Sequence, residues 1–168
     1  MNGPAVLLEG LSRIGEMLHG AVEGLSDEQL LHGPDDRSNP IVWLAWHLTR
    51  IQDDHVAGVA GTEQVWISEG WAERFDLPLP VSDHGYGHTP EEVASVRAGA
   101  ESLLGYYDAV EKATVAYMKG LTDDDLDRVV DTRWNPPVTL GVRLVSVLND
   151  DTAHAAQAAY LRGLIDRR

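Results

Sequence analysis

A chain of 168 residues, 43% of them hydrophobic, suits one domain (residues 1–168) with a sizeable core. Its 27 acidic against 13 basic residues give a formal charge of -14, which repels a phosphate backbone, and no basic stripe overrides it, so nucleic-acid binding is excluded. No cysteine means no disulfide, no thiolate zinc site and no protein thiol nucleophile, and no apolar run approaches the ~20 residues of a membrane span.

The start, Met1-Asn2-Gly3-Pro4, lacks the basic and apolar regions of a secretory signal, which makes a cytoplasmic location the expectation. Leu7, Leu11, Ile14, Leu18, Val22 and Leu25 recur at helical spacing and predict a first amphipathic helix over about residues 4 to 24, ended by Gly24. Ser26-Asp27-Glu28-Gln29 has capping-box form and opens a short helical turn before the loop from His32 to Asp36. Asn39 and Pro40 read as N-cap and first position of a second helix, Pro40 to about Val59.

From Gly61 to His88 the pattern breaks into a long connection, with a short helix near Glu63 to Arg74. Its own aromatics, Trp66, Trp71 and Phe75, suggest core packing or a lid over something. Thr89, Pro90 and Glu92 set up a third helix over about 90 to 119, stopped by Gly120. The fourth runs from Leu140 to Ile165.

Laid over itself at an offset of 96, the chain repeats: 12 of the 31 positions from Gly24 to Asp54 are identical in Gly120 to Asp150. Asp54 falls on Asp150, while His47 falls on Arg143. Chance explains a shared Gly-Leu-Ser/Thr-Asp element, but not a constant register over some thirty residues. The expected architecture is an all-α four-helix bundle of up-down-down-up type. It is built from two pseudo-repeated helical hairpins, with a long connection between the second and third helices.

On the last helix Asp150 and His154 stand four positions apart, one turn along one face. On an arbitrary helix such a pair is more often solvated and contributes ~0.2 to 0.5 kcal/mol. Here Leu140, Leu144, Val147, Ala158 and Leu161 flank the row, which points its polar members inward, where charges persist only when paired or metal-bound. His47, among Trp43, Leu44 and Trp46, is by itself a core histidine; opposite Asp150 and His154 it becomes the third candidate ligand. Two imidazoles and a carboxylate with an open position form a catalytic zinc-type set, with nickel, iron or manganese as further options. Asp151 competes with Asp150 if the helix is rotated. His55 lies about 80° round the helix from His47, His84 and His88 sit on a loop, and His19 and His32 read as surface residues.

Three stretches carry a family resemblance: Asn39-Pro40-Ile41-Val42-Trp43-Leu44-Ala45-Trp46-His47-Leu48, Gly85-Tyr86-Gly87-His88-Thr89-Pro90-Glu91-Glu92-Val93, and Leu148 to Gln157 with Arg162-Gly163. The chain resembles the DinB-like superfamily of four-helix metal-binding proteins, which includes bacillithiol and mycothiol S-transferases and mycothiol-dependent maleylpyruvate isomerase. The resemblance implies His47, Asp150 and His154 as metal ligands, Asp150 standing where relatives carry His or Glu. It implies a metal-dependent thiol S-transferase acting on an electrophilic small molecule. Only two lysines against eleven arginines hint at a GC-rich genome, which makes mycothiol the expected thiol. A metal-dependent hydrolase and a non-catalytic stress-response or binding module of the same fold are the alternatives, and a homodimer stays open.

Overall fold

In the computed structural model, which describes residues 1–35 and 37–167, four long helices carry the architecture: α1 (Gly3–Val22), α3 (Ile41–Ala60), α7 (Ala100–Met118) and α8 (Leu140–Ile165). Short helices α2 (Asp27–Leu30), α4 (Val65–Ser68), α5 (Trp71–Phe75) and α6 (Pro90–Ser95) lie between them. A 3-10 turn at Asp124–Asp127 precedes a two-stranded antiparallel ribbon, β1 (Val129–Asp131) and β2 (Val138–Thr139). Asp36, assigned to a loop from sequence, lies outside the described residues.

Each of α3 and α7 packs against α8 or α1 and against the other, leaving α1 and α3 across the diagonal. Cross-helix pairs give the directions. Gly10 faces Leu148 and Arg162 donates to the Glu23 carbonyl, so α1 and α8 run parallel. His47 faces Asp150 while His55 meets Arg143, so α3 and α8 are antiparallel. Arg50 reaches Tyr106 and Val59 meets Tyr117, so α3 and α7 are parallel. The result is the expected up-down-down-up all-α bundle. Within each half, however, the two long helices are diagonal partners rather than a side-by-side hairpin.

That topology explains the long connection. Because α3 and α7 point the same way, the chain must travel back along a 20-residue helix, ~30 Å, before α7 can begin. The single short helix expected near Glu63 to Arg74 is two, α4 and α5, broken at Gly70, whose φ of 71° is left-handed. Trp66, Trp71, Phe75 and Tyr106 form one aromatic cluster, so Trp66 and Trp71 are core residues and not a lid. Buried charge ties the connection down. Asp53 accepts from the Val65 and Trp66 amides and from the Tyr106 hydroxyl, and Arg50 donates to the Asp83 carbonyl and to Gln64.

The third helix also divides. Its predicted start is right, with a Thr89–Glu92 capping box, but Val96 is extended and the helix restarts at Ala100. Asn39 is not the cap of α3; Pro40 holds that position, with no side-chain bond.

The repeat reaches further than its identities. Displaced by 96, α1 falls on 99–118, the span of α7. Asp123 accepts from the Gly3 amide at the start of α1, and its counterpart Asp27 lies against Gly99 at the start of α7. Asp35 and Asp131 make the same turn, accepting from the amides of Arg37 and Arg133 at 2.9 and 3.0 Å. None of the helices among the described residues is long and apolar enough to cross a membrane.

Candidate metal centre

His47 lies in the second turn of α3, and Asp150 and His154 one turn apart on α8, where the two antiparallel helices face each other. Their potential ligand atoms all lie within 4.8 Å of one another. His47 Nε2 is 3.8 Å from Asp150 Oδ2, and His154 Nε2 is 3.7 Å from Asp150 Oδ1. These distances are too long for hydrogen bonds. They are near the ~3.4 Å between donors that each sit ~2.1 Å from one tetrahedral ion.

Both imidazoles are held with Nε2 turned into this gap. His47 Nδ1–H donates to the backbone carbonyl of His84, and His154 Nδ1–H donates to Gln157 Oε1 at 2.9 Å. A neutral imidazole protonated at Nδ1 leaves Nε2 as its lone-pair nitrogen, which is how a neighbouring group fixes a metal-binding tautomer. Burial drives the His47 pKa down to about 4 from 6.5, so the ring is neutral at pH 7.

His47 is further confined by aromatic packing. Trp43 stacks on it at 4.5 Å with 13° between the planes, and His154 meets its edge at 4.9 Å. The Trp43 indole N–H donates to His88 Nδ1, and His88 Nε2–H donates to Asp83, which also accepts from the Gly85 amide. Gly85 is where the connection touches α3. Its φ is 91°, and a Cβ there would stand 2.8 Å from His47 Nδ1 and 3.0 Å from Trp43. Only glycine lets the His84 carbonyl come this close.

The row on α8 lies at the partly open edge of the α3–α8 contact rather than in the core: the Asp150 side chain is 36% exposed, His154 19% and His47 6%, and Gln157 is exposed. The carboxyl that α8 does bury is Asp151, fully enclosed on the core side with no partner for either oxygen among the described residues. Burial pushes its pKa well up, which favours the uncharged acid, and its place on the core side near Tyr107 keeps it apart from the gap that Asp150 faces. His55 is away from the three, beside Asp54 and Arg143. His84 contributes its carbonyl, and His88, far from being a solvated loop residue, is buried as a strut behind Trp43. His19 pairs with Asp108 at 2.7 Å, as a surface residue should. His32 instead lines a cavity of about 590 Å³ with Pro34, Arg37 and His88, and its Nε2 is enclosed.

Sequence reasoning missed the hydrogen-bond partners of the two candidate ligand histidines. Gln157 follows His154 by three positions on one helix face, a signal available in principle. The His84 carbonyl carries no residue-type signal, and only Gly85 beside it marks the close approach.

Comparison with known proteins follows the same line. The sequence profile of the mycothiol-S-transferases matches residues 6–167. The crystal structure of a conserved protein from Enterococcus faecalis superposes with a TM-score of 0.92 at 31% identity, covering 100% of this chain and 99% of that one. Among curated proteins, none matches. The chain therefore belongs to the mycothiol-S-transferase family, within the DinB-like superfamily of four-helix proteins.

Proposed function

We propose that the protein is a metal-dependent thiol S-transferase. In this reading His47, Asp150 and His154 hold one divalent ion, zinc by preference, and a mycothiol-type thiol is joined to a small electrophile at the open edge of the α3–α8 contact. The observation that carries the reading is the pair of locked imidazoles: both Nδ1 atoms are engaged, so two Nε2 lone pairs and one carboxylate converge on a half-open gap.

A divalent ion bound there lowers the pKa of a coordinated thiol and makes thiolate available at neutral pH. The protein's own part is to keep His47 neutral, to fix both rings, and to leave the solvent side of Asp150 and His154 open for ligands. Zero cysteines fit a chemistry in which the sulfur arrives with the substrate. The thiol gives up its proton to solvent and its sulfur bonds to the electrophilic carbon, which either expels a leaving group with the electron pair of the broken bond or, in an addition, passes its π electron pair to the neighbouring atom, where a proton is taken up.

Calorimetric titration with mycothiol, in the presence and absence of zinc, tests this. Binding that requires zinc is expected. Equal binding without metal, or none with it, refutes the reading.

A further inference from the structure

The repeat carries the metal centre onto a second place in the molecule. Displaced by 96, His47 corresponds to Arg143, and Asp54 and Gly58 correspond to Asp150 and His154. Arg143, Asp54 and Gly58 all line one cavity of about 500 Å³ further along the α3–α8 contact. Arg128, Arg133 and His55 line it as well. The equivalent of the metal centre has thus lost both histidines and gained a guanidinium, with two more arginines at its rim.

In a chain of net charge -14, three arginines around one cavity are a local exception. Its two carboxylates are already engaged. Asp131 accepts from Arg133 Nε at 3.0 Å and Nη2 at 2.8 Å, and from Arg143 Nη2 at 3.1 Å. Asp54 accepts from Gln64 and lies 3.4 Å from His55 Nδ1. Among the described residues Arg128 is bonded to uncharged groups alone, the Tyr117 hydroxyl and the Val59 carbonyl. Guanidinium groups carry five N–H donors each, so Arg128, Arg133 and Arg143 keep donors that Asp131 does not use.

We propose that this cavity is an anion site that takes a carboxylate of a small-molecule ligand, with Arg128 and Arg143 supplying the charge that the metal supplies in the equivalent half. The site lies along the same α3–α8 contact as the metal centre. His47 and Asp54 are seven residues apart on α3, as are Arg143 and Asp150 on α8, which is ~10 Å of helix. A thiol that itself bears a carboxylate can therefore place sulfur at the metal and that carboxylate among the arginines; mycothiol bears none, so this link keeps the metal-dependent thiol chemistry proposed above and changes the class of thiol. A separate anionic ligand is the other source of the same chemistry.

The test uses the full chain with zinc present throughout, which His154→Ala is expected not to retain, and far-UV circular dichroism is the check on folding. Succinate is titrated into wild type, Arg128→Gln, Arg143→Gln and His154→Ala. Binding at least ~10-fold weaker in both arginine variants and unchanged in His154→Ala is expected. No binding to wild type, or equal binding to every variant, overturns the proposal.

A second arm compares 6-mercaptohexanoate with 6-mercaptohexanol. A preference for the carboxylate of at least ~10-fold that vanishes in Arg143→Gln assigns both ends to one molecule. Equal affinities, with succinate binding intact, assign the site to a separate anion. If neither thiol binds while succinate does, the metal reading fails and the anion site stands.

Discussion

Replacing Gly85 by alanine separates two effects that the structure places at one residue. The backbone there has φ 91°, a region in which an L residue costs ~1 to 3 kcal/mol. The added Cβ would also lie 2.8 Å from His47 Nδ1, 3.0 Å from Trp43 Cζ2 and 3.1 Å from Trp46 Cζ3, inside van der Waals contact with three buried rings. The connection carries no such slack, because Arg50 grips the Asp83 carbonyl and Asp83 holds His88. The chain must lift, and the His84 carbonyl leaves His47 Nδ1. Losing such a partner typically lowers metal affinity ~10- to 100-fold.

Gly87→Ala is the control, since Gly87 has a comparable φ of 77° but nothing within 4 Å of its Cβ. Both variants should lose ~2 to 12 °C in melting temperature, ~2 to 4 °C per kcal/mol for a chain of this size. Only Gly85→Ala should weaken zinc in competition with a chelator. Wild-type zinc affinity in Gly85→Ala, or equal losses in the two, would refute the argument that the loop orients His47.

Gln157→Leu frees the His154 tautomer and should lower zinc affinity ~10-fold or more, with stability within ~0.5 kcal/mol of wild type because the side chain is exposed, as urea titration would show. Asp151→Leu replaces a buried carboxyl whose oxygens have no partner and should raise stability by ~1 to 3 kcal/mol. The folded state holds the Asp151 proton at pH values where the unfolded chain has lost it, so this gain should grow from pH 5 to pH 8; destabilisation at both would contradict it. His47 has the opposite sign. Between pH 6.5 and about 4 the unfolded chain binds a proton that the folded chain excludes, so metal-free protein should lose up to ~1.4 kcal/mol per pH unit on acidification, and His47→Gln should flatten that slope. Asp53→Ala leaves the Val65 and Trp66 amides and buried Arg50 unpaired and should cost ~3 to 5 kcal/mol, read as a fall in melting temperature.

The long helices were legible because each carries its own periodicity, with Gly24 and Gly120 marking where the first and third stop. The break in the third helix was not, since Val96 to Gly99 continue the apolar spacing. Only the packing that brings Gly99 against Asp27 shows where α7 must begin. The repeat read at Gly24 to Asp54 pointed correctly to a duplicated scaffold, but not to which helices touch, because diagonal and adjacent partners have the same sequence pattern.

The three converging side chains were visible because i,i+4 spacing on α8 and an isolated histidine on α3 are local signals. Their exposure was misjudged: apolar flanks locate a helix face only to within a residue, and that residue separates Asp150 at the open edge from Asp151 in the core. The His84 carbonyl and the arginine cavity depend on contacts between distant segments, and no single stretch announces them.

Metal content by mass spectrometry on wild type, His154→Ala and His55→Ala goes to the ligand set itself. His55 stands on α3 beside Asp54 and Arg143, apart from the converging three. The account predicts about one divalent ion per chain in wild type and His55→Ala, and most of it lost in His154→Ala. Equal content in both variants, or loss confined to His55→Ala, would contradict it.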